Sequence, residues 1–229
     1  MINTMGAEKR KSLSEVTAEK IITYIQDNHL SPGDQLPNEL VFSDMLEVGR
    51  GTVREAIKTL VSRNIVFIKH GCGTYVADNP GVSADPLGFQ FIEDKRQLVI
   101  DLLELRKIIE PALAQLASQR ALTEEISKLS EIEDSLEDVH RVGNDHTALD
   151  VAFHEQLAVC SHNHVTELLI PVLTQGIPAA IEYTGGSLID ESILDHRKII
   201  EALRRRDGES AQAAVREHLD RNIRFILGE

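Results

Sequence analysis

The sequence predicts a mainly α-helical chain: an N-terminal winged helix-turn-helix (α+β) followed by a C-terminal all-α antiparallel helix bundle. Three observations carry this. Two short helical patterns, about 38–46 and 50–63, are joined by only Glu47-Val48-Gly49, the spacing of a helix-turn-helix. The stretch IVFIKHGCGTYVA then places two β-prone runs, Ile65 to Ile68 and Thr74 to Ala77, around the glycine-bearing turn His70-Gly71-Cys72-Gly73. From Lys95 onward the periodicity is helical only.

Each element has a local reason. Ser12 and Glu15 stand at capping-box spacing before Val16, Ile21, Ile22 and Ile25, so a helix is expected over about 13–28. SPGDQLP breaks it, and Pro37 with Asn38 can start the next one. In 50–63, Val53, Ala56, Ile57 and Leu60 fall on one inner face. DNPGVSADP has turn composition and no periodicity, which sets the domains at 1–79, a linker at 80–94 and a helical domain at 95–229. Six helical patterns follow, at about 95–120, 123–141, 146–162, 164–184, 188–206 and 209–227. Thr123 with Glu124 and Glu125 suits a capped start, and Pro111 is expected to kink the first of the six.

Composition bounds the function. The 229 residues, 42% hydrophobic and 27% charged, describe a globular chain long enough for two modest domains. No apolar run approaches the roughly 18 residues of a membrane span, and MINTMGAEKRKS lacks a signal-peptide core. With only two cysteines, Cys72 and Cys160, in dissimilar contexts, a reducing cytoplasmic location without membrane attachment is expected. The formal net charge of −13 is uneven: residues 1–79 hold 9 Lys and Arg against 10 Asp and Glu, and the remainder 15 against 27. A nucleic-acid surface in the first part must therefore come from the placement of cations, not their number.

SPGDQLPNEL, VGRGTVREAIKTL and FIKHGCGTYVA together resemble the winged helix-turn-helix of GntR-type transcription regulators. LELRKIIEPALAQLASQRA, LDVAFHEQLAVCSHNH and LDHRKIIEAL followed by EHL look like the FCD effector domain of the FadR subgroup. The two likenesses cover nearly the whole chain. Two departures stand out: family members usually carry a small hydroxyl residue at the place of Gly49, and often a glycine at the place of Glu47. Leu40 stands where the fatty-acid regulator has an arginine, so that regulator's operator sequence is not carried over.

The helix from Arg50 would meet DNA with its N-terminus, where unpaired N–H groups and the helix dipole already favour phosphate. Gly49 and Gly51 allow close backbone approach. Arg50 and Arg54, four residues apart, share a face and suit phosphate or bidentate guanine contact, while Thr52 and Lys58 can add phosphate contacts. At the wing tip, Lys69, His70 and Gly71 are implied by the resemblance to touch the minor groove or the backbone. One winged helix reads a half-site, so a homodimer on palindromic double-stranded DNA is expected.

In the acidic part, Asp150 and His154 lie four apart on one helical face, and His196 and His218 sit beside apolar residues of later helices. Three imidazoles and a carboxylate make a divalent transition-metal site, and the FCD likeness implies a metal at the same four positions; zinc, nickel, manganese and iron all accept such ligands. Open coordination positions, with the resemblance, point to a small organic acid or sugar acid as effector, and Arg106 can pair with its carboxylate; the alternative for Arg106 is a surface side chain beside Lys107. A purely structural metal under constitutive DNA binding is the second reading. A metal-dependent hydrolase or isomerase is the remote one, because no general base stands at a defensible spacing.

Overall fold

The computed structural model describes residues 11–83 and 85–228, and the chain divides into two compact units at Pro86. The opening segment to residue 10, which bears the signal-peptide reading, lies outside the described residues, as do residues 84 and 229. The division falls inside the expected 80–94 linker.

In the first unit, α1 (Leu13–Asp27) opens with the expected capping box: Ser12 Oγ accepts from the Glu15 N–H, and the Glu15 carboxylate accepts from the Ser12 N–H. Its inner face is Thr17, Ala18 and Ile21, with Ile22 and Ile25 flanking; Val16 stays half-buried. Asn38 caps α2 (Glu39–Leu46) through side-chain bonds from the Leu40 and Val41 N–H groups. Gly49 precedes α3 (Arg50–Ser62), whose Val53, Ala56, Ile57 and Leu60 are buried against Phe42 and Ile21. The hairpin of β1 (Val66–Lys69) and β2 (Gly73–Val76) pairs Val66 with Val76 and Lys69 with Gly73, one residue displaced from the expected runs at each strand. The α1–α2 connection clamps the wing, with the Leu36 N–H donating to Thr74 O at 2.8 Å and Gln35 Nε2 to Cys72 O at 2.8 Å.

Among the described residues the second unit is built of helices: α4 (Lys95–Arg120), α5 (Thr123–Arg141), α6 (Thr147–Cys160), α7 (His164–Leu173), α8 (Ile177–Thr184), α9 (Ile189–Arg204) and α10 (Gly208–Leu227). Helix α4 continues through Pro111 and packs on α6, α7, α8, α9 and α10, while α5 packs on α6 and α9. Phe153, Leu157, Ile199, Leu203, Val215 and Leu219 form the centre of the core.

Two expectations need correction. Thr123 is the first residue of α5 rather than its cap, and the Glu125 carboxylate accepts from the Leu122 N–H at 2.8 Å instead. The segment 164–184 is two helices, separated by a 3₁₀ turn at Thr174–Gly176. Taken as one helix it has the length and hydropathy of a membrane span, with a mean of 1.2, against the sequence expectation that no run approached one. In the fold its Ile170, Leu173, Ile177 and Ala180 are buried in the bundle.

Candidate DNA interface and metal centre

The first candidate site is the outer face of α3 with the wing. Burial of Val53, Ala56, Ile57 and Leu60 turns Arg50, Gly51, Arg54 and Lys58 outward, with Thr52 half-buried at the edge. Gly49 contributes no side-chain cap, so the first turn of α3 is left to other acceptors. A Cβ added to Gly51 would meet nothing within 4 Å, so its glycine is not demanded by packing.

Arg54 is not bare, however. Its Nε and Nη2 donate to the two Glu39 oxygens at 3.0 and 2.7 Å, a fork across the helix-turn-helix. That contact lowers the Glu39 carboxyl below its ordinary range. Lys58 pairs with Glu55 at 2.8 Å. At the wing tip Lys69, His70 and Gly71 are exposed, and so is Cys72.

The second candidate site lies inside the helical unit. His154 of α6, His196 of α9 and His218 of α10 are all buried, and each offers a ring nitrogen within 4.8 Å of the others'. The fourth sequence candidate, Asp150, is outside that mutually close set but places Oδ1 3.8 Å from His196 Nε2. Burial pushes the His154 and His218 imidazoles below their ordinary value. Arg106 adds to the effect at His154, and the other two histidines add to it at His218. Neutral imidazoles are the form that ligates a cation.

The unpaired atoms test whether a cation fits. His154 Nε2 and His196 Nε2 are buried without a hydrogen-bond partner, an expensive arrangement unless something electrophilic meets them. Nitrogen-rich sites with an adjacent carboxylate suit a divalent transition ion, so the residues fit the expected group.

Arg106 is buried, which removes the surface-arginine alternative. Its Nε donates to Glu110 Oε1 at 2.6 Å, while Nη2 has no partner. Burial alone would raise the Glu110 carboxyl, but Arg106 and His154 outweigh it and hold it at about 2. A small pocket of about 30 Å³, partly open to solvent, reaches the triad at His218, and Arg106, His146, Asp150, Ser192, His218 and Asn222 line it.

Sequence reasoning missed six residues of this region: Glu110, Glu133, His146, Ser192, Asp195 and Asn222. Two carried a legible signal, since Glu110 and Glu133 occupy helix positions that the surrounding spacing assigns to the core. His146 precedes Asp150 by one turn on the same face, but its place next to a helix end masked that. Nothing in the sequence marks Asn222.

Comparison with known proteins matches both units. The model for the FCD domain matches residues 101–221, and that for bacterial regulatory proteins of the gntR family matches residues 13–76. An uncharacterized HTH-type transcriptional regulator, YcbG of Bacillus subtilis, is 29% identical over 92% of this chain and 88% of its own length. The galactonate operon transcriptional repressor of Escherichia coli is 26% identical over 80% of this chain and 83% of its own. A solved structure of Streptococcus agalactiae GntR superposes with a TM-score of 0.82 at 37% identity, covering 92% of this chain and 99% of that one. A winged helix-turn-helix and an FCD domain, matched in that order along one chain, make this protein a transcription regulator of the GntR family, in its FadR-like branch.

Proposed function

We propose that the protein binds a palindromic operator as a cytoplasmic homodimer and releases it when a small carboxylate, of the sugar-acid type, enters the pocket beside a metal held by Asp150, His154, His196 and His218. The observation that carries this reading is the pocket itself: Arg106, a buried arginine with one guanidinium nitrogen unpartnered, lines the same cavity as Asp150 and His218. Arg106 is suited to take the effector carboxylate, and Ser192, Asn222 and His146 to take hydroxyl groups. A bound divalent ion would supply a Lewis-acidic site for the acid's oxygens. The relative named for the galactonate operon makes aldonates the first acids to try.

On the DNA side, Arg50, Gly51, Thr52, Arg54 and Lys58 of α3 would enter the major groove, with Lys69, His70 and Gly71 of the wing on the backbone or minor groove. Arg54 would exchange Glu39 for phosphate or guanine. The effector must bind the two states of the protein unequally to move it off DNA. The complete burial of His154 and His196 favours a second reading, in which the metal only ties α6, α9 and α10 together.

Fluorescence anisotropy on an operator selected from random duplex DNA tests these points together. Arg54→Ala is expected to weaken binding about ten- to a hundredfold. Galactonate or a related acid should release the operator from the metal-loaded protein and not from Arg106→Ala. Constitutive binding across an acid panel would select the structural-metal reading.

A further inference from the structure

Each histidine of the triad has a buried carboxylate behind its Nδ1. Glu110 Oε2 lies 2.8 Å from His154 Nδ1, though without hydrogen-bond geometry. Glu133 Oε2 pairs with His196 Nδ1 at 2.8 Å. Asp195 Oδ2 stands 3.9 Å from His218 Nδ1. Two of the three acids also have cations of their own: Arg106 for Glu110, and Lys198 with Arg221 for Asp195.

Glu133 differs. It is fully buried on α5, its Oε1 has no partner, and among the described residues no lysine or arginine pairs with it. A carboxylate so placed is among the costliest groups a core can hold, unless its charge is answered nearby. Its one polar side-chain contact among the described residues is His196. That ring is also held on its face by Phe153, stacked with centroids 3.8 Å apart and planes 10° apart. With Nδ1 directed at Glu133, Nε2 points to the centre of the triad, buried and unpartnered.

We infer that Glu133 is the positioning residue of the metal centre: it fixes His196 with the proton on Nδ1 and Nε2 free to ligate, and its buried charge is answered by the divalent cation on the far side of the ring. This rests on the metal reading above. A carboxylate behind a ligating imidazole raises the basicity of the ligating nitrogen and sets its direction, so the effect passes through the ring.

Glu133→Gln tests the charge separately from the geometry, because the amide oxygen still accepts from Nδ1–H. Zn(II) affinity, measured by competition with a chromophoric chelator, is expected to fall about 10- to 100-fold. In chelator-treated protein Glu133→Gln should melt higher than wild type, because the unanswered buried charge is gone. Zn(II) should then raise its melting temperature by less. A residue that only packs would lower both melting temperatures alike and leave the affinity untouched. Glu133→Asp, which keeps the charge and withdraws the acceptor by one methylene, gives a second reading should the glutamine variant fold poorly; it should bind Zn(II) more weakly than wild type. Equal Zn(II) affinities for wild type and both variants overturn the inference. His196→Ala separates it from the reading beneath: Zn(II) retained in full by that variant, or none taken up by wild type, overturns the metal centre itself.

Discussion

Glu47 ends α2 with φ 55° and ψ 42°, a left-handed conformation that a side chain disfavours and glycine does not. Its side chain is exposed. The left-handed backbone is the physical meaning of the glycine that family members often carry at that place. Glu47→Gly should raise the stability of the DNA-binding unit by about 0.5–1 kcal/mol, because the relief of strain exceeds the added freedom of the unfolded chain. Urea unfolding of the isolated unit followed by circular dichroism checks it; a lower midpoint would show that Glu47 makes a contact worth more than its strain.

At the scale of elements, helix α5 shows what the sequence carried and what it hid. Its buried positions Ile126, Leu129, Glu133 and Leu136 are spaced three, four and three residues apart, so the acid sits squarely on the core stripe. The spacing is legible, but the partner that justifies it, His196, is 63 residues away on α9 and becomes visible only when the helices pack. The histidines themselves were legible because Asp150 and His154 lie one turn apart and the later pair sits on apolar faces. The break of 164–184 into α7 and α8 escaped notice, although Pro171 and Gly176 lie within it, because the apolar pattern runs through both halves. The same burial sets a pH dependence for the metal-free bundle. His154 and His218 hold their protons more weakly when folded, so below their ordinary value of 6.5 the unfolded state binds more protons and stability falls with pH. Glu110, ordinarily near 4.5 and held at about 2, extends that loss between those values. The urea midpoint of chelator-treated protein should therefore decline from pH 7 to pH 5 and further below; a flat profile would mean the imidazoles are not buried as neutral rings.

At the scale of the whole molecule, the two units have different chemical duties and each has its own core. The winged unit holds nearly balanced charge, with Arg50, Arg54 and Lys58 exposed on α3 and Lys69 on the wing. The helical unit holds most of the −13 and the triad. The three candidate ligands of that triad come from α6, α9 and α10, which are far apart in sequence. A cation bound there stabilises only states in which those helices are docked, by RT ln(1 + [L]/Kd), or about 2.7 kcal/mol at a hundredfold excess over Kd. The winged unit contains none of the ligands and gains nothing from that term. Differential scanning calorimetry should accordingly show two transitions, one falling in temperature on chelation and returning when Zn(II) is restored, and the other unmoved. The winged unit is identified by scanning residues 11–83 alone. If chelation moved that transition as well, the stability of the DNA-binding unit would be tied to the metal centre, and effector control would have to run through the folding of the whole chain instead of through the bundle.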